Sequence, residues 1–223
     1  GYTVVVNYAS NEAAAADVVN AIGKAGGKAV AVKGDVAQET DVLALFAAAD
    51  NLGTLKVLVN NAGIMDCQNR LDEMSTERLR RIFDINILGS VLCAREAVKR
   101  MSTKHGGAGG NIVNLSSAAA VLGAPGLGVE YAASKGAIDV LTIGLSREVA
   151  SEGIRVNALR PGIIDTEIHD CSGIPNRVQM MREHIPMKRE GKAEEVADAI
   201  MWLCSDQSSY VTGALLPVAG GRC

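Results

Sequence analysis

Six short apolar runs alternate with helix-forming stretches along the chain, and this alternation constrains the fold more than any other feature. The runs at residues 3–7, 29–32, 56–60, 111–115, 154–159 and 214–218 are rich in Val, Ile, Leu and Ala. Their length and β-branched content read as buried strands. Between them, Ser10 or Asn11 caps a helix through the alanines to about residue 25, which Gly26-Gly27 stops. Further helices are predicted over 40–50, from Ser75 or Thr76 to about 102, over 129–151 and over 193–204, with 165–188 irregular except for one short helix. Strands that alternate with amphipathic helices form right-handed βαβ units on a parallel sheet. The expectation is therefore an α/β chain with a doubly wound, Rossmann-like parallel sheet, in a single domain over residues 1–223. In such sheets ligands bind beyond the carboxyl ends of the strands. Asn7, Asp35, the stretch Asn60-Asn61-Ala62-Gly63, Ser116, Ser117 and Pro161-Gly162 all stand at those ends and should line one edge.

Composition narrows the function classes. Hydrophobic residues make up 48% of the chain and aromatics only 3%, so the core must be aliphatic. A net charge of −3, with no run of Lys or Arg, gives no electrostatic reason to expect nucleic acid or an anionic membrane surface. No apolar stretch reaches the roughly 18–20 residues needed to span a bilayer. No signal peptide is visible, although the chain does not start with Met. Cys67, Cys93, Cys171, Cys204 and Cys223 are scattered with no Cys-x-x-Cys, which points to a reducing, cytoplasmic setting without disulfides or zinc. His105, His169 and His184 also lack ligand spacing, so no metal site is expected.

The chemistry gathers around Tyr131-Ala132-Ala133-Ser134-Lys135. On a helix, residues four apart share a face, roughly 5–6 Å apart at Cβ. An ammonium held there makes the phenol a stronger acid near neutral pH. Ser116 and Ser117 tip the preceding strand. A hydroxyl facing a Tyr/Lys helix suits acid–base work on a carbonyl or an alcohol.

Together Asn60-Asn61-Ala62-Gly63, Asn86, Ser117, Tyr131-x-x-x-Lys135 and Pro161-Gly162 resemble the short-chain dehydrogenase/reductase family, in the family's order and near its spacing, over nearly the whole chain. Within it the chain looks most like sugar-dehydrogenase-like and 3-oxoacyl-carrier-protein-reductase-like members. The resemblance implies an oxidoreductase that moves hydride between a nicotinamide dinucleotide and a secondary alcohol or ketone. It implies Tyr131 as general acid/base and Lys135 as the group that lowers the tyrosine pKa and binds the nicotinamide ribose. Ser117, or alternatively Ser116, would hydrogen-bond the substrate oxygen, and Asn86 would hold a relay water, a role compatible with a side chain that kinks the helix. Ser117 stands fourteen residues before Tyr131, so the loop at 123–128 is expected to be slightly long. Asp35, which also reads as a plain turn residue, and Val36 would meet adenine. Asn60, Ala62 and Gly63 would wall the ribose and nicotinamide side. Pro161, Gly162, Ile164 and Thr166 would clamp the nicotinamide. Asn7, Tyr8 and Ser10 offer neutral donors where a carboxylate would repel a 2′-phosphate, so NADP(H) is expected over NAD(H).

Residues 165–188 resemble the family's variable substrate loop, either a mobile lid or a direct substrate contact. Partners would be a small alcohol or ketone and further copies of the chain, as a homotetramer by analogy. One departure stands out. The family's first strand and glycine-rich phosphate loop belong ahead of Gly1, and neither 106–110 nor 123–128 opens a helix directly after a strand as a substitute. The expectation is an additional N-terminal segment of roughly two dozen residues, one βα unit, with its strand beside residues 4–6. A non-catalytic dinucleotide-binding or scaffold subunit of the same fold is the alternative reading.

Overall fold

The computed structural model describes residues 1–168 and 177–222. In chain order the elements are β1 (Thr3–Tyr8), α1 (Glu12–Lys24), β2 (Lys28–Lys33), α2 (Glu39–Asp50), β3 (Val57–Asn60), α3 (Thr76–Phe83), a π-helical turn (Asp84–Gly89), α4 (Ser90–Met101), β4 (Gly110–Leu115), α5 (Ala119–Leu122), α6 (Val129–Val149), β5 (Ile154–Pro161), α7 (Arg177–Met181), α8 (Ala193–Leu203) and β6 (Leu215–Val218). Every strand pairing is parallel.

The strands divide into two sheets rather than one. β1 pairs with β2, and β3-β4-β5-β6 form the second sheet in that order. The larger sheet is covered on both faces. Successive β4 residues Ile112 and Val113 enter opposite clusters, because side chains alternate along a strand. Ile112 joins Phe46, Leu92, Ala97 and Met101 from α2 and α4, whereas Val113 joins Val196 and Leu203 from α8. Helices on both faces explain why β4 and β5 read as continuous apolar runs.

Local signals explain most boundaries. The Asn11 carboxamide accepts the Ala14 N–H and caps α1, which leaves Ser10 outside the cap. Ser75, not Thr76, caps α3 through the Arg78 N–H. The helix expected from 75 to about 102 is interrupted by the π turn, at the Asn86 side chain expected to kink it. Gly89 sits there against Val36, and a Cβ on Gly89 would lie 2.6 Å from Val36 Cγ2. The loop after β4 holds a helix that the sequence reading passed over. The Ser117 hydroxyl accepts the Ala119 N–H at the start of α5, and Gly123 ends it with a φ of +73°. Among the described residues of the irregular region, α7 is a short helix and a 3-10 turn follows it at Arg182–His184. His169, Cys171 and Cys223 lie outside the described residues. Of the other cysteines, Cys67 is exposed and Cys93 and Cys204 are buried. Among the described residues, no helix is long and apolar enough to cross a membrane, and no cluster of His, Cys, Asp and Glu is arranged to hold a metal ion.

Candidate active site

A cleft of about 740 Å³ opens at the carboxyl ends of β3, β4 and β5, where the topology rule puts a ligand. Asn61 and Gly63 line it after β3, Leu115 to Ala119 after β4, and Pro161 to Ile164 after β5. Tyr131 and Lys135 enter from α6, and α8 closes the far wall with Val196 and Ile200. A depression of about 540 Å³ between α1 and the start of β2 lies at the amino-terminal edge instead and holds none of the expected chemistry.

Lys135 is the most constrained group in the cleft. Its side chain is 5% exposed, and Nζ donates to the Leu115 carbonyl at 2.7 Å. Nζ also sits 5.7 Å from the centroid of the Tyr131 ring. Desolvation pushes its pKa down to about 8, with the Asp139 carboxylate pulling the other way. The two serines separate in role. Ser116 is buried and its hydroxyl donates to the Lys135 carbonyl at 3.1 Å, which fixes β4 to α6. Ser117 is half-buried, lines the cleft, and accepts only the Ala119 N–H among the described residues.

Asn86 sits in the π turn with 1% exposure. Its carboxamide grips the backbone of Ile64 twice, Nδ2 donating to the carbonyl at 2.9 Å and Oδ1 accepting the N–H at 2.8 Å. Nδ2 also donates to the Ser134 hydroxyl at 3.0 Å. One side chain thereby ties the loop after β3 to α6. Gly63 in that loop leaves room for both neighbours: a Cβ there would lie 3.2 Å from Lys135 Nζ and 3.4 Å from Asn86 Oδ1. This bare backbone beside a buried ammonium fits a ribose hydroxyl and a flat ring pressed close to the chain.

Other expected contacts are placed less directly. Asn60 is buried at 8%, and its Nδ2 donates to Asn114 Oδ1 at 2.9 Å, away from the cleft that Asn61 lines. Asn114 continues to Thr142, so this is a polar ladder through β3, β4 and α6. Ala62 is exposed beside it. Asp35 is half-buried, and its Oδ1 accepts the Ala37 N–H as a turn residue does. Val36 packs in the core, 9% exposed. Asn7 spends both amide donors on backbone, at 3.3 Å to the Val32 carbonyl and 2.9 Å to the Gly34 carbonyl. Tyr8 is half-buried, Ser10 exposed, and the exposed Lys33 stands in register with Tyr8. Gly162 donates to the Val218 carbonyl at 3.0 Å and presses on Ala219, which anchors the Pro161-Gly162 turn. Ile164 bridges to Gly191, and the Thr166 hydroxyl lies 3.5 Å from the Ile164 carbonyl.

Asn61, Met65, Leu122 and Leu127 also line the cleft, although the sequence reading assigned them no role. The alternation of NNAG side chains about β3 was the signal available for Asn61. Leu122 ends α5, and Leu127 lies in the turn that follows it.

Comparison with known proteins agrees with this fold. The family model described as Enoyl-(Acyl carrier protein) reductase matches residues 1–222. The oxidoreductase YgfF of Escherichia coli, itself uncharacterized, is 54% identical over all of this chain and 90% of its own length. Glucose 1-dehydrogenase 2 of Bacillus subtilis is 42% identical over 98% of this chain and 84% of its own. A solved structure from Agrobacterium tumefaciens, provisionally assigned as a gluconate dehydrogenase, superposes with a TM-score of 0.89 at 31% identity, over all of this chain and 86% of that one.

Proposed function

The chain belongs to the short-chain dehydrogenase/reductase family, and we propose from that premise that it interconverts a secondary alcohol and a ketone, with Tyr131 as the general acid/base. Enzymes of this family are oxidoreductases that act on CH–OH groups with a nicotinamide dinucleotide. When bound, the dinucleotide supplies or accepts the hydride. The observation that carries the proposal is the convergence of Ser117, Tyr131 and Lys135 in one cleft, with the Lys135 ammonium beside the Tyr131 ring.

In the reducing direction the Tyr131 phenol donates its proton to the carbonyl oxygen. A protonated Lys135 stabilises the phenolate that remains. The Ser117 hydroxyl donates to the same substrate oxygen and offsets its growing negative charge. Gly63 and the anchored Pro161-Gly162 turn give close-approach surfaces for the ring and ribose, and Asn86 holds the Gly63 loop against Lys135. In the oxidising direction the same groups run in reverse, and the Tyr131 phenolate takes the alcohol proton.

NADP(H) is the preferred form in this reading. The end of β1 bears Asn7 rather than a carboxylate, so nothing there repels a 2′-phosphate. Since Asn7 donates to backbone, the Tyr8 and Ser10 hydroxyls and the exposed Lys33 ammonium are the donors left for it. Similarity to a glucose dehydrogenase puts sugars and polyols first among substrates to try. The assembly is proposed to be a homotetramer, which light scattering on the purified protein tests.

The decisive experiment is turnover with NADPH and NADH across a panel of sugars, polyols and 3-oxoacyl esters, repeated with Tyr131→Phe. Loss of the acid should lower kcat by roughly 10²–10⁴-fold on the best substrate with little change in cofactor affinity. Full activity in Tyr131→Phe would overturn the assignment.

A further inference from the structure

One continuous stretch of chain builds the wall of the cleft on the Tyr131 side. Ser117 opens the turn into α5, Leu122 ends that helix, and residues 123–128 lead into the first turn of α6, where Tyr131 stands. α5 packs against α6, and a Cβ on Gly128 would lie 3.7 Å from Tyr131 Cβ. The two hydroxyls assigned to the substrate oxygen are therefore flanked by whatever this stretch presents. Between Ser117 and Gly128 the lining residues are Ala118, Ala119, Leu122, Ala124 and Leu127, none with a polar side chain. Met65, from the loop after β3, and Ile168, from the segment after β5, line the same space. Leu122 is 42% exposed and Ile168 37%. Apolar side chains scattered singly over a surface are ordinary, but several gathered on one concave wall mark a ligand groove.

The polar groups near this wall are engaged or stand elsewhere. The Ser116 hydroxyl donates to the Lys135 carbonyl, and Lys135 Nζ donates to the Leu115 carbonyl. Besides Lys135, the charged residues lining the cleft among those described are Glu167 and Arg222. Glu167 directly follows Thr166. The Arg222 N–H donates to the carbonyl of Ala219, the residue that presses on Gly162. Both charges thus belong with the Pro161-Gly162 turn assigned to the dinucleotide. A sugar or polyol laid against the stretch from Ser117 to Gly128 would lose water from its hydroxyls and find no side-chain partner there. A hydrocarbon body would shed only unfavourable hydration.

We propose that this cleft takes an apolar ketone or its secondary alcohol, with the reacting oxygen as its polar group and a hydrocarbon ring lying against Leu122 and Leu127. The inference rests on the reading of Tyr131 as the acid/base, which puts the reacting oxygen at one end of the apolar wall. Sugars and polyols come first to trial by kinship; the wall favours the opposite chemistry. Leu122 and Leu127 are then specificity-determining residues.

The test compares ketones that differ in what meets the wall. Reduction is followed for cyclohexanone, 4-methylcyclohexanone, 4-hydroxycyclohexanone, 2-decalone and the sugar ketone erythrulose. Each CH2 buried against the wall should raise kcat/KM about fourfold. The methyl ketone should exceed its hydroxyl counterpart by roughly tenfold to a hundredfold. In Leu122→Asn, at an exposed position, the advantage of 2-decalone over cyclohexanone should fall about tenfold. Binding is read without turnover, both with oxidised cofactor present and in the cofactor-free protein. There 2-decalone should shift the methyl NMR signals of Leu122 and Leu127, assigned by substitution, while erythrulose leaves them in place. Erythrulose or 4-hydroxycyclohexanone used as well as the apolar ketones overturns the proposal. So does 2-decalone that leaves both methyl signals unmoved, or a Leu122→Asn protein that keeps the wild-type ratio. Without turnover on any ketone, the methyl shifts decide alone. Should Tyr131→Phe retain turnover, the acid/base reading fails, and the methyl shifts still decide whether the wall takes an apolar body. Should Tyr131→Phe be inactive while erythrulose outranks 2-decalone, only the apolar-substrate inference fails.

Discussion

A single lysine shows how far a residue's chemistry can oppose its burial. Lys135 has its pKa lowered from the ordinary 10.5 to about 8 by desolvation, and unfolding returns it to water and to its ordinary value. Below pH 8 both states hold the proton, so the full cost of burying the cation is present. Between about pH 8 and 10.5 the unfolded chain binds more protons than the folded one, and stability attributable to this group rises with pH. Above that window the cost is gone. The expectation is that urea unfolding of wild type and Lys135→Met at pH 7.5 and 9.5 will show wild type gaining on the variant as pH rises. A difference that does not change with pH would mean that Lys135 is buried at no electrostatic cost. The Tyr131–Lys135 pairing was legible in the sequence because helical spacing alone sets which side chains share a face. The ion pair in which Arg160 donates to Asp139 Oδ2 was not, since it joins residues from α6 and β5 through a packing angle that no local pattern encodes. The orientation of Asn60 and Asn7 was hidden for a related reason. The sequence puts them at strand ends, but only the fold shows that their amides turn inward, to Asn114 and to the Gly34 carbonyl.

At the scale of elements, the interruption of the α3–α4 helix is what brings Asn86 to the site. A continuous α-helix satisfies its own backbone and gives no reason for a wide turn; π turns occur mostly where function or close packing demands one. Here Gly89 lets Val36 approach, and Asn86 is left buried with its amide on Ile64 and Ser134. Asn86→Ala removes three hydrogen bonds and leaves the half-buried Ile64 backbone groups without that partner. Such losses cost about 1–3 kcal/mol. The predicted result is a lower melting temperature together with weaker cofactor binding by fluorescence titration, as the loop bearing Gly63 loosens. Lower stability with unchanged cofactor affinity would limit Asn86 to a structural part. The existence of a helix over 75–102 was readable from its periodicity and its Ser75 cap, but the π turn was not, because it is imposed by a contact with Val36 some fifty residues earlier in the chain. α5 could have been read: a serine turn, a run of alanines and a closing glycine are local signals.

For the whole molecule, the division of the strands into two sheets predicts uneven stability. The alternation of strands and helices sufficed to read a parallel α/β architecture; which strands hydrogen-bond to one another depends on tertiary neighbours and was not readable. In the larger sheet Ile112, Val156 and Leu159 are fully buried, and β4 and β5 are paired on both sides. The β1–β2 pair contributes no residue to either core cluster, and Val4 and Val30 remain 37% exposed. Its covering helix α1 buries only Ala15. In a polypeptide of residues 1–223 alone, two strands with one helix hold little independent stability, so this unit should open locally without global unfolding, and a further strand paired beside residues 4–6 should raise its protection. Amide hydrogen exchange of the cofactor-free protein should therefore be fastest in β1 and β2 among the strands and slowest in β4 and β5. In the proposed binding mode Asn7 to Ser10 meet the adenosine ribose, so added NADP(H) should slow exchange most in β1. At a hundredfold excess over Kd the linked gain is about 2.7 kcal/mol, close to a hundredfold slowing wherever opening requires release of the cofactor. Uniform protection across both sheets, or slowing confined to β4 and β5, would mean that the end of β1 takes no part in holding the dinucleotide.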